Sequence, residues 1–547
     1  MTLFRKKSKR AVPDPATART IAQGDVLGLV AENGAKIWRG LPYAASTAGD
    51  NRWRPPQPAP RWEGVREAVR FAERCAQLTN EFDAKEGLKP GLVIGSEDCL
   101  ALDVYAPSGT HESLPVMVWI HGGGNVWGCS SKYDASRLAQ NEKVIVIAVQ
   151  YRVGPLGWFA HPALRADAPT PQDACACFAI LDLIAALRWV RTNVAAFGGD
   201  PDCVTIFGES AGGHNVVALL ASPLAKGLFH RAIVQSGAFE STGLAEAEGE
   251  TGALLNPSRT IADKLGAHSA EALRALSVDT LLGAYTRGPG FVDVPRVIED
   301  GVVLPSGPIR DAFRSTSTFN PVPTILGTNH DEMKLFYLRD KRVTTKRLGA
   351  FVVAKDQPAY DALTGHLTRL WRIRAVSEPA AMMRAAGHDS VHAYRFDWDD
   401  GGRVLFTDLH KLLGAAHGFE LPFVFNRFEH LGDADRFLFQ KRTAADRERL
   451  SRALGAYWAS FARSGVPSCH GEPAWPAYGD SPGAFLSFDS DSDGGIEVRS
   501  GDDTLAALIA DLNSETRIDR CVVVEELNRW MFGRPVHSQV LEATGCR

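Results

Sequence analysis

The serine at position 210 stands in a pattern that could make it a nucleophile. The pattern is Gly208-Glu209-Ser210-Ala211-Gly212, which reads Gly-x-Ser-x-Gly. A serine hydroxyl is a poor nucleophile at neutral pH, so it needs a general base, a carboxylate that orients the base, and donors for the oxyanion that forms. In a chain of 547 residues the pattern alone is weak, because glycine and serine are common. The residues around it therefore decide between an ordinary glycine-rich turn and a nucleophile.

The flanking residues predict a strand before the pattern and a helix after it. Residues 204–207 form a short apolar run rich in β-branched side chains, and residues 216–220 form an apolar helical stretch. A strand, a tight turn and a helix are what a nucleophile elbow requires. Glycines are needed there because a Cβ atom would collide with the adjacent strand and helix. Ser210 would then lie at a helix N-terminus, where the helix dipole favours developing negative charge.

A second glycine-rich stretch could supply the oxyanion donors. His121-Gly122-Gly123-Gly124 follows an apolar run at residues 115–120, which is typical of a buried strand. Such a loop alone would more often be only a turn, but its position before an elbow favours a catalytic interpretation. The backbone amides of Gly123, Gly124 and Ala211 are therefore the predicted oxyanion hole.

The order of the predicted elements indicates an α/β fold. Apolar strand-like runs alternate with helical patterns, one of which covers residues 173–194. This alternation predicts a large, mostly parallel sheet with helices on both faces. Residues 244–319 hold helical patches without a long buried strand and are expected to be an insertion over the active site. We expect one domain over residues 19–547, preceded by a disordered basic tail at residues 1–18.

Composition and charge exclude several classes of function. The net charge of -4 with scattered basic residues does not suggest nucleic-acid binding. The basic first ten residues are not followed by the apolar segment of a secretory signal, and no apolar run is long enough to span a membrane. We therefore expect a soluble, cytoplasmic protein. The nine cysteines lack CxxC spacing, so we expect no metal site and, in the cytoplasm, reduced thiols.

These motifs, together with others along the chain, resemble the type-B carboxylesterase/lipase family, the cholinesterase-like branch of the α/β-hydrolases. The resemblance covers about residues 24–488. Its further matching pieces are Gly40-Leu41-Pro42-Tyr43-Ala44, Ser96-Glu97-Asp98-Cys99-Leu100, Gly154-Pro155-Leu156-Gly157, Phe197-Gly198-Gly199-Asp200-Pro201, Gly227-Leu228-Phe229-His230-Arg231 and Gln235-Ser236-Gly237.

The resemblance implies the remaining members of a catalytic triad. Glu332 is the implied acid, with its neighbour Asp331 as a rival, and His417 is the implied base. The chain order Ser210, Glu332, His417 is the order that this fold uses. His410 lacks the Gly-Ala context that precedes His417.

The resemblance also implies several supporting features. Asn125 and Glu209 are expected to border the substrate pocket, and Asn125 replaces an aromatic residue, which predicts a more polar acyl pocket. Cys75 and Cys99 occupy the positions of the family's first disulfide, and the sequence leaves open whether they pair or, in a cytosolic host, stay thiols. Glu97 and Arg152 resemble the family's buried ion pair.

The implied function is hydrolysis of small to medium carboxylic esters through an acyl-enzyme, with no cofactor or metal. A non-catalytic binding module of the same fold is less favoured, because Ser210, Glu332 and His417 are all present. An amide or carbamate hydrolase with the same triad stays open, since no residue separates it from an esterase.

Overall fold

The computed structural model describes residues 11–109, 113–252, 254–285, 294–429, 435–481, 483–501, 503–530 and 535–546. These residues form the following strands, in chain order: β1 (Arg19–Ile21), β2 (Gly24–Leu27), β3 (Leu29–Val30), β4 (Lys36–Pro42), β5 (Val65–Glu67), β6 (Gln77–Leu78), β7 (Val93–Ile94), β8 (Ala101–Ala106), β9 (Leu114–Ile120), β10 (Ile145–Val149), β11 (Gly199–Glu209), β12 (Arg231–Gln235), β13 (Thr242–Gly243), β14 (Ile298–Glu299), β15 (Thr324–Asn329), β16 (Thr344–Arg347), β17 (Phe351–Ala354), β18 (Val391–Phe396), β19 (Arg403–Val404), β20 (Thr407–Asp408), β21 (Ala484–Phe488) and β22 (Ile496–Ser500).

The same residues form the following α-helices: α1 (Ser136–Glu142), α2 (Pro162–Ala166), α3 (Phe178–Asn193), α4 (Ala211–Ala221), α5 (Leu244–Glu248), α6 (Ser258–Leu265), α7 (Ala270–Ala275), α8 (Val278–Gly283), α9 (Lys334–Tyr337), α10 (Gln357–Arg372), α11 (Glu378–Ala385), α12 (Leu409–Leu412), α13 (Leu421–Val424), α14 (Asp435–Leu438), α15 (Ala444–Ser464), α16 (Leu505–Ser514), α17 (Arg520–Trp530) and α18 (Pro535–Thr544). Among the described residues, none of these helices is both long and apolar enough to cross a membrane.

A single large sheet organises these elements. Its strand order is β22-β21-β18-β15-β12-β11-β9-β10-β8-β4-β3. The strands from β21 to β10 are parallel to their neighbours, whereas both ends of the sheet carry antiparallel strands. The carboxyl ends of β9, β11 and β15 consequently meet at one edge, which is where ligands bind in open α/β sheets. The predicted α/β-hydrolase fold is confirmed, with antiparallel strands at its edges.

Helices cover both faces of the sheet because its central strands are apolar on both sides. All but the first residue of β9 are buried. Val118 packs in one hydrophobic cluster with Leu187 of α3, and its neighbour Trp119 packs in another with Trp458 of α15. Successive side chains of a strand point to opposite faces, so each face needs its own layer of helices.

The predicted disordered tail does not include residues 11–18. Thr17 is fully buried, its carbonyl accepts a 2.8 Å hydrogen bond from Trp38 Nε1, and its hydroxyl accepts one of 2.8 Å from the amide of Gly28. Residues 11–18 are therefore part of the folded body, and the prediction of a disordered tail through residue 18 is wrong for them. Residues 1–10 lie outside the described residues.

Two expectations about cross-links and ion pairs are also corrected. The structure joins Cys75 to Cys99 and Cys521 to Cys546 as disulfides, so the prediction that all cysteines are reduced is wrong. The expected pairing of Glu97 with Arg152 is wrong as well. Glu97 pairs with Arg52 at 2.5 Å, and Arg152 pairs with Asp182 at 2.6 Å. Both carboxylates are buried, and a buried charge requires a partner of opposite sign.

The two disulfides determine how many thiols the protein should show on titration. The remaining cysteines, Cys129, Cys175, Cys177, Cys203 and Cys469, are free. We therefore expect thiol titration of the denatured, unreduced protein to detect these five groups alone. Cys75→Ser should add one titratable thiol by releasing Cys99, whereas the matched variant Cys469→Ser should remove one. A Cys75→Ser protein with no additional thiol would contradict the pairing.

Candidate active site

Ser210 lies at the tip of a tight turn between β11 and α4. Its backbone has φ 57° and ψ -123°, a conformation that residues with a side chain rarely adopt. Its amide donates a 2.9 Å hydrogen bond to the carbonyl of Gln235. A Cβ atom on Gly212 would lie 2.0 Å from the carbonyl oxygen of Ile120. The predicted elbow is present, and a glycine after the serine is required because β9 passes so close.

Glu332 and His417 form the closest ion pair of the site. Glu332 follows β15 and is fully buried, and its Oε2 lies 2.5 Å from Nδ1 of His417. Its other oxygen accepts hydrogen bonds from Ser236 Oγ at 2.5 Å and from the amide of Asn329 at 2.7 Å. The carboxylate is therefore fixed on both sides and oriented towards the imidazole.

The rival carboxylate, Asp331, is directed elsewhere. It pairs with Lys334 at 3.0 Å and accepts a 3.2 Å hydrogen bond from the amide of Ala415. Burial raises the pKa of Asp331, but the hydrogen bond from His330 and the charge of Lys334 outweigh burial and hold that pKa well below its usual range. Of the two neighbouring acids, Glu332 is the one that contacts His417.

The other ring nitrogen of His417 faces Glu209. Nε2 lies 3.0 Å from Glu209 Oε1, and no hydrogen bond joins His417 to Ser210 among the described residues. Burial raises the pKa of Glu209 above its usual value, although His417 opposes this shift. Burial lowers the pKa of His417, but Glu209 and Glu332 outweigh it and raise that pKa to about 9. Glu209 thus contacts the imidazole from the side opposite Glu332.

Two peptide groups of the glycine loop are held through their carbonyls. The carbonyl of Gly122 accepts a 2.9 Å hydrogen bond from His121 Nδ1, and that of Gly123 accepts bonds of 3.1 Å from the amides of Val126 and Trp127. Because each peptide plane is fixed through its carbonyl, the N–H groups of Gly123 and Gly124 point the opposite way. Within the described part of the chain, neither these amides nor that of Ala211 has an acceptor. They are available to an oxyanion.

The insertion reaches this loop. Arg296, which lies between β13 and β15, donates a 2.9 Å hydrogen bond to the carbonyl of Gly124. This hydrogen bond joins the segment before β15 to the glycine loop.

The expectation of a polar acyl pocket at Asn125 is wrong. Asn125 is fully buried, and its Oδ1 accepts a 2.8 Å hydrogen bond from Asn215 and a 3.5 Å contact from the Tyr151 hydroxyl. Its φ of 59° turns the chain after the glycines. The side chain is part of the scaffold behind the loop and does not border a pocket.

Known proteins share the fold of this chain. The model of the carboxylesterase family matches residues 15–362 and 354–502. The chain belongs to the carboxylesterase family. It is a carboxylic-ester hydrolase.

Relatives of this carboxylesterase span nearly its whole length. It is 34% identical to a cocaine esterase of Homo sapiens over 501 residues, which are 84% of this chain and 86% of that protein. It is also 34% identical to a para-nitrobenzyl esterase of Bacillus subtilis over 488 residues, which are 86% of this chain and 94% of that protein. A solved PNB esterase has a TM-score of 0.72 and 30% identity, covering 88% of this chain and 97% of its own. A Geobacillus stearothermophilus carboxylesterase has a TM-score of 0.70 and 31% identity, with coverages of 90% and 99%.

Sequence reasoning on this carboxylesterase missed the groups that surround Glu332 and His417. Ser236 was visible in the Gln235-Ser236-Gly237 motif, but it is 96 residues from Glu332 and its contact required the fold. The rings of Phe336 and Trp371 lie 5.2 and 5.0 Å from the His417 ring, and no local pattern marks them. They form an apolar wall beside the imidazole.

The contact between Glu209 and His417 predicts a change in pH dependence for the carboxylesterase. A histidine acts as a base only when neutral, and the Glu209 carboxylate favours the imidazolium. Glu209→Gln removes that charge, so the pKa of His417 should fall. The acid limb of the kcat/KM profile should then move to lower pH by about one unit or more. The matched variant Glu497→Gln, at an exposed site, should leave the profile unchanged. A Glu209→Gln profile that superimposes on wild type would contradict the contact.

Proposed function

We propose that this carboxylesterase hydrolyses small to medium esters with Ser210 as nucleophile, His417 as general base and Glu332 as the orienting acid. His417 Nε2 accepts the Ser210 proton as Oγ attacks the ester carbonyl. Glu332 holds Nδ1 and stabilises the imidazolium. The alcohol leaves with the proton from His417, and water then hydrolyses the acyl-enzyme by the same steps. The observation that carries the proposal is the 2.5 Å contact between His417 and Glu332 beside the Ser210 elbow.

The proposal requires Nε2 of His417 to change its partner. In the resting structure Nε2 faces Glu209, so it must exchange this carboxylate for the Ser210 hydroxyl. A hydroxyl rotates freely, and catalytic hydrogen bonds often tighten only when substrate is bound. Glu209 then remains beside the imidazolium, where its charge stabilises the protonated ring.

The oxyanion is assigned to the amides of Gly123, Gly124 and Ala211. Three fixed donors in a water-poor site stabilise the tetrahedral intermediate, and the loss of one such donor costs about 3 kcal/mol of transition-state stabilisation. Fixation of the Gly122 and Gly123 carbonyls by the protein supports this assignment, because the donors need no reorganisation as charge develops.

The substrate class is inferred from the relatives. Proteins named cocaine esterase and para-nitrobenzyl esterase are its relatives, so we propose esters that carry an aromatic group. The rings of Phe336 and Trp371 beside His417 are suited to contact such a group. We propose no nucleic-acid partner.

A matched pair of substrates tests the reaction class. We expect rapid hydrolysis of p-nitrophenyl butyrate with a burst of p-nitrophenol equal to the enzyme concentration. The corresponding anilide, butyryl-p-nitroanilide, should turn over far more slowly. Comparable rates on the two would favour an amide hydrolase instead, and the absence of both activities would sink the proposal.

Organisation and compartment are proposed as follows. The chain is one hydrolase domain that includes residues 11–18 and carries the insertion at residues 244–319. We propose the cytoplasm, because five unpaired cysteines are unusual in an exported protein. The two disulfides count against it, since reducing compartments do not favour them. Fractionation of the host cells decides: protein in the cytosolic fraction supports the cytoplasm, and protein in the medium or the cell envelope contradicts it.

A further inference from the structure

A large charged cavity lies beside the segment that carries Glu332. Its volume is about 720 Å³, within the range of small-molecule sites. It is lined by Asn329, Asp331 and Lys334 on one side and by residues of α10 and of the segment around α16 on the other. Ser210, Glu209 and His417 are not among its lining residues, so it is a different site from the catalytic one.

The acidic residues of the cavity wall already have partners. Asp503 accepts a 3.3 Å hydrogen bond from Arg369, which also pairs with Asp511. Glu515 pairs with Arg517 at 2.7 Å and with His366 at 2.8 Å. The carboxylates are therefore largely neutralised by neighbouring cations, and they leave little net negative charge to repel an anion.

Among the cations of the cavity wall, Arg372 differs in that its guanidinium donates no hydrogen bond to a carboxylate in the described part of the chain. It is 7% exposed, and its guanidinium makes no hydrogen bond within the described residues. Its nearest carboxylate is Asp503, with Nε 3.6 Å from Oδ2, and Asp503 is already bonded to Arg369. Nε of Arg372 is a buried donor without a hydrogen-bond partner in the described chain, which is costly because the water that it loses on burial is not replaced.

The orientation of Arg372 leaves its donors free. Cζ lies 4.1 Å above the ring of Phe485, so one face of the guanidinium is covered while its N–H edge is open to the cavity. The Arg395 guanidinium lies over the same ring at 5.3 Å and is held by Asp397. Burial, and then repulsion from Arg395, lowers the pKa of Arg372 to about 10. Both causes would be relieved by an anion.

We propose that this cavity binds a small organic anion, whose carboxylate or phosphate oxygens accept hydrogen bonds from the open edge of Arg372. A guanidinium edge matches two oxygens of either group at once. Arg369 and Arg395 add positive potential without giving up their own carboxylates. The cavity volume admits an anion with an organic body, and the polar wall formed by Asn329 and Thr368 can contact that body.

Isothermal titration calorimetry on the full chain tests the site with inorganic phosphate and, separately, with acetate at low ionic strength. We expect saturable binding with a stoichiometry of one for at least one probe. Arg372→Gln should weaken it at least tenfold, whereas the control Arg384→Gln, an arginine paired with Asp389 at the protein surface, should bind as wild type does. Binding of phosphate alone identifies a phosphate ester as the ligand class, and binding of acetate alone identifies a carboxylate.

Two results would overturn the proposal. One is the absence of saturable binding of both probes to the wild-type protein. The other is wild-type affinity in Arg372→Gln. Should that variant fail to fold, Arg372→Lys provides the same test, because it keeps the charge but loses the two-donor edge and should bind at least several-fold more weakly. The readout is binding and not turnover, so it is independent of the catalytic assignments.

Discussion

Ser210→Ala should abolish ester hydrolysis and covalent labelling by an organophosphate. Without Oγ there is no atom that can form the acyl-enzyme, so only the contribution of the oxyanion hole and of substrate binding remains. Loss of a catalytic serine typically lowers kcat by about 10⁶-fold. Burst kinetics with p-nitrophenyl butyrate and the intact mass of the protein after treatment with a fluorophosphonate measure the two effects.

The control for this experiment is the same substitution at a serine outside the active site. Ser464→Ala removes a hydroxyl that bonds only to the backbone at the end of α15. It should keep wild-type turnover and a single phosphonyl adduct. Labelling of the Ser210→Ala protein at an equal rate, or an adduct mapped to another residue, would show that the nucleophile is elsewhere.

Glu332→Gln should lower kcat about 10³- to 10⁴-fold while the protein stays folded. The carboxylate accepts the Nδ1 proton of His417 and so holds the tautomer in which Nε2 is a base. A carboxamide can present its NH₂ group to Nδ1 and thereby favour the opposite tautomer. The substitution also removes the charge that stabilises the imidazolium. Single-turnover release of p-nitrophenol measures the loss in the acylation step.

Asp331→Asn is the matched control, because it makes the same chemical change one residue earlier. Asp331 contacts Lys334 and the amide of Ala415 and not His417, so kcat should stay within about tenfold of wild type. The reverse result, with Asp331→Asn inactive and Glu332→Gln active, would transfer the acid role to Asp331.

The elements that carry the active site could be predicted from sequence because their signals are local. The elbow at Ser210 is encoded by five consecutive residues between an apolar strand and an apolar helix. The glycine loop after β9 is likewise encoded by consecutive residues that follow an apolar strand. Glu332 and His417 were placed by family motifs, and their mutual contact followed only from the α/β-hydrolase fold.

The partners of buried polar groups could not be predicted, since they come from distant parts of the chain. Asn125 pairs with Asn215 behind the glycine loop, and Glu97 pairs with Arg52 instead of Arg152. Each choice depends on which side chain of suitable shape and charge the fold brings within hydrogen-bond distance. Composition likewise could not reveal that Cys521 and Cys546, 25 residues apart, meet at the C-terminus.

The backbone conformation of Ser210 has a consequence for thermal stability. A residue with a Cβ atom held at φ 57° and ψ -123° is less stable than glycine would be there, by about 1–3 kcal/mol. The chain therefore keeps its reactive hydroxyl at some thermodynamic disadvantage. A catalytically dead protein with glycine at this position should melt at a higher temperature than the active enzyme, which makes it the better form for trapping an intact ester.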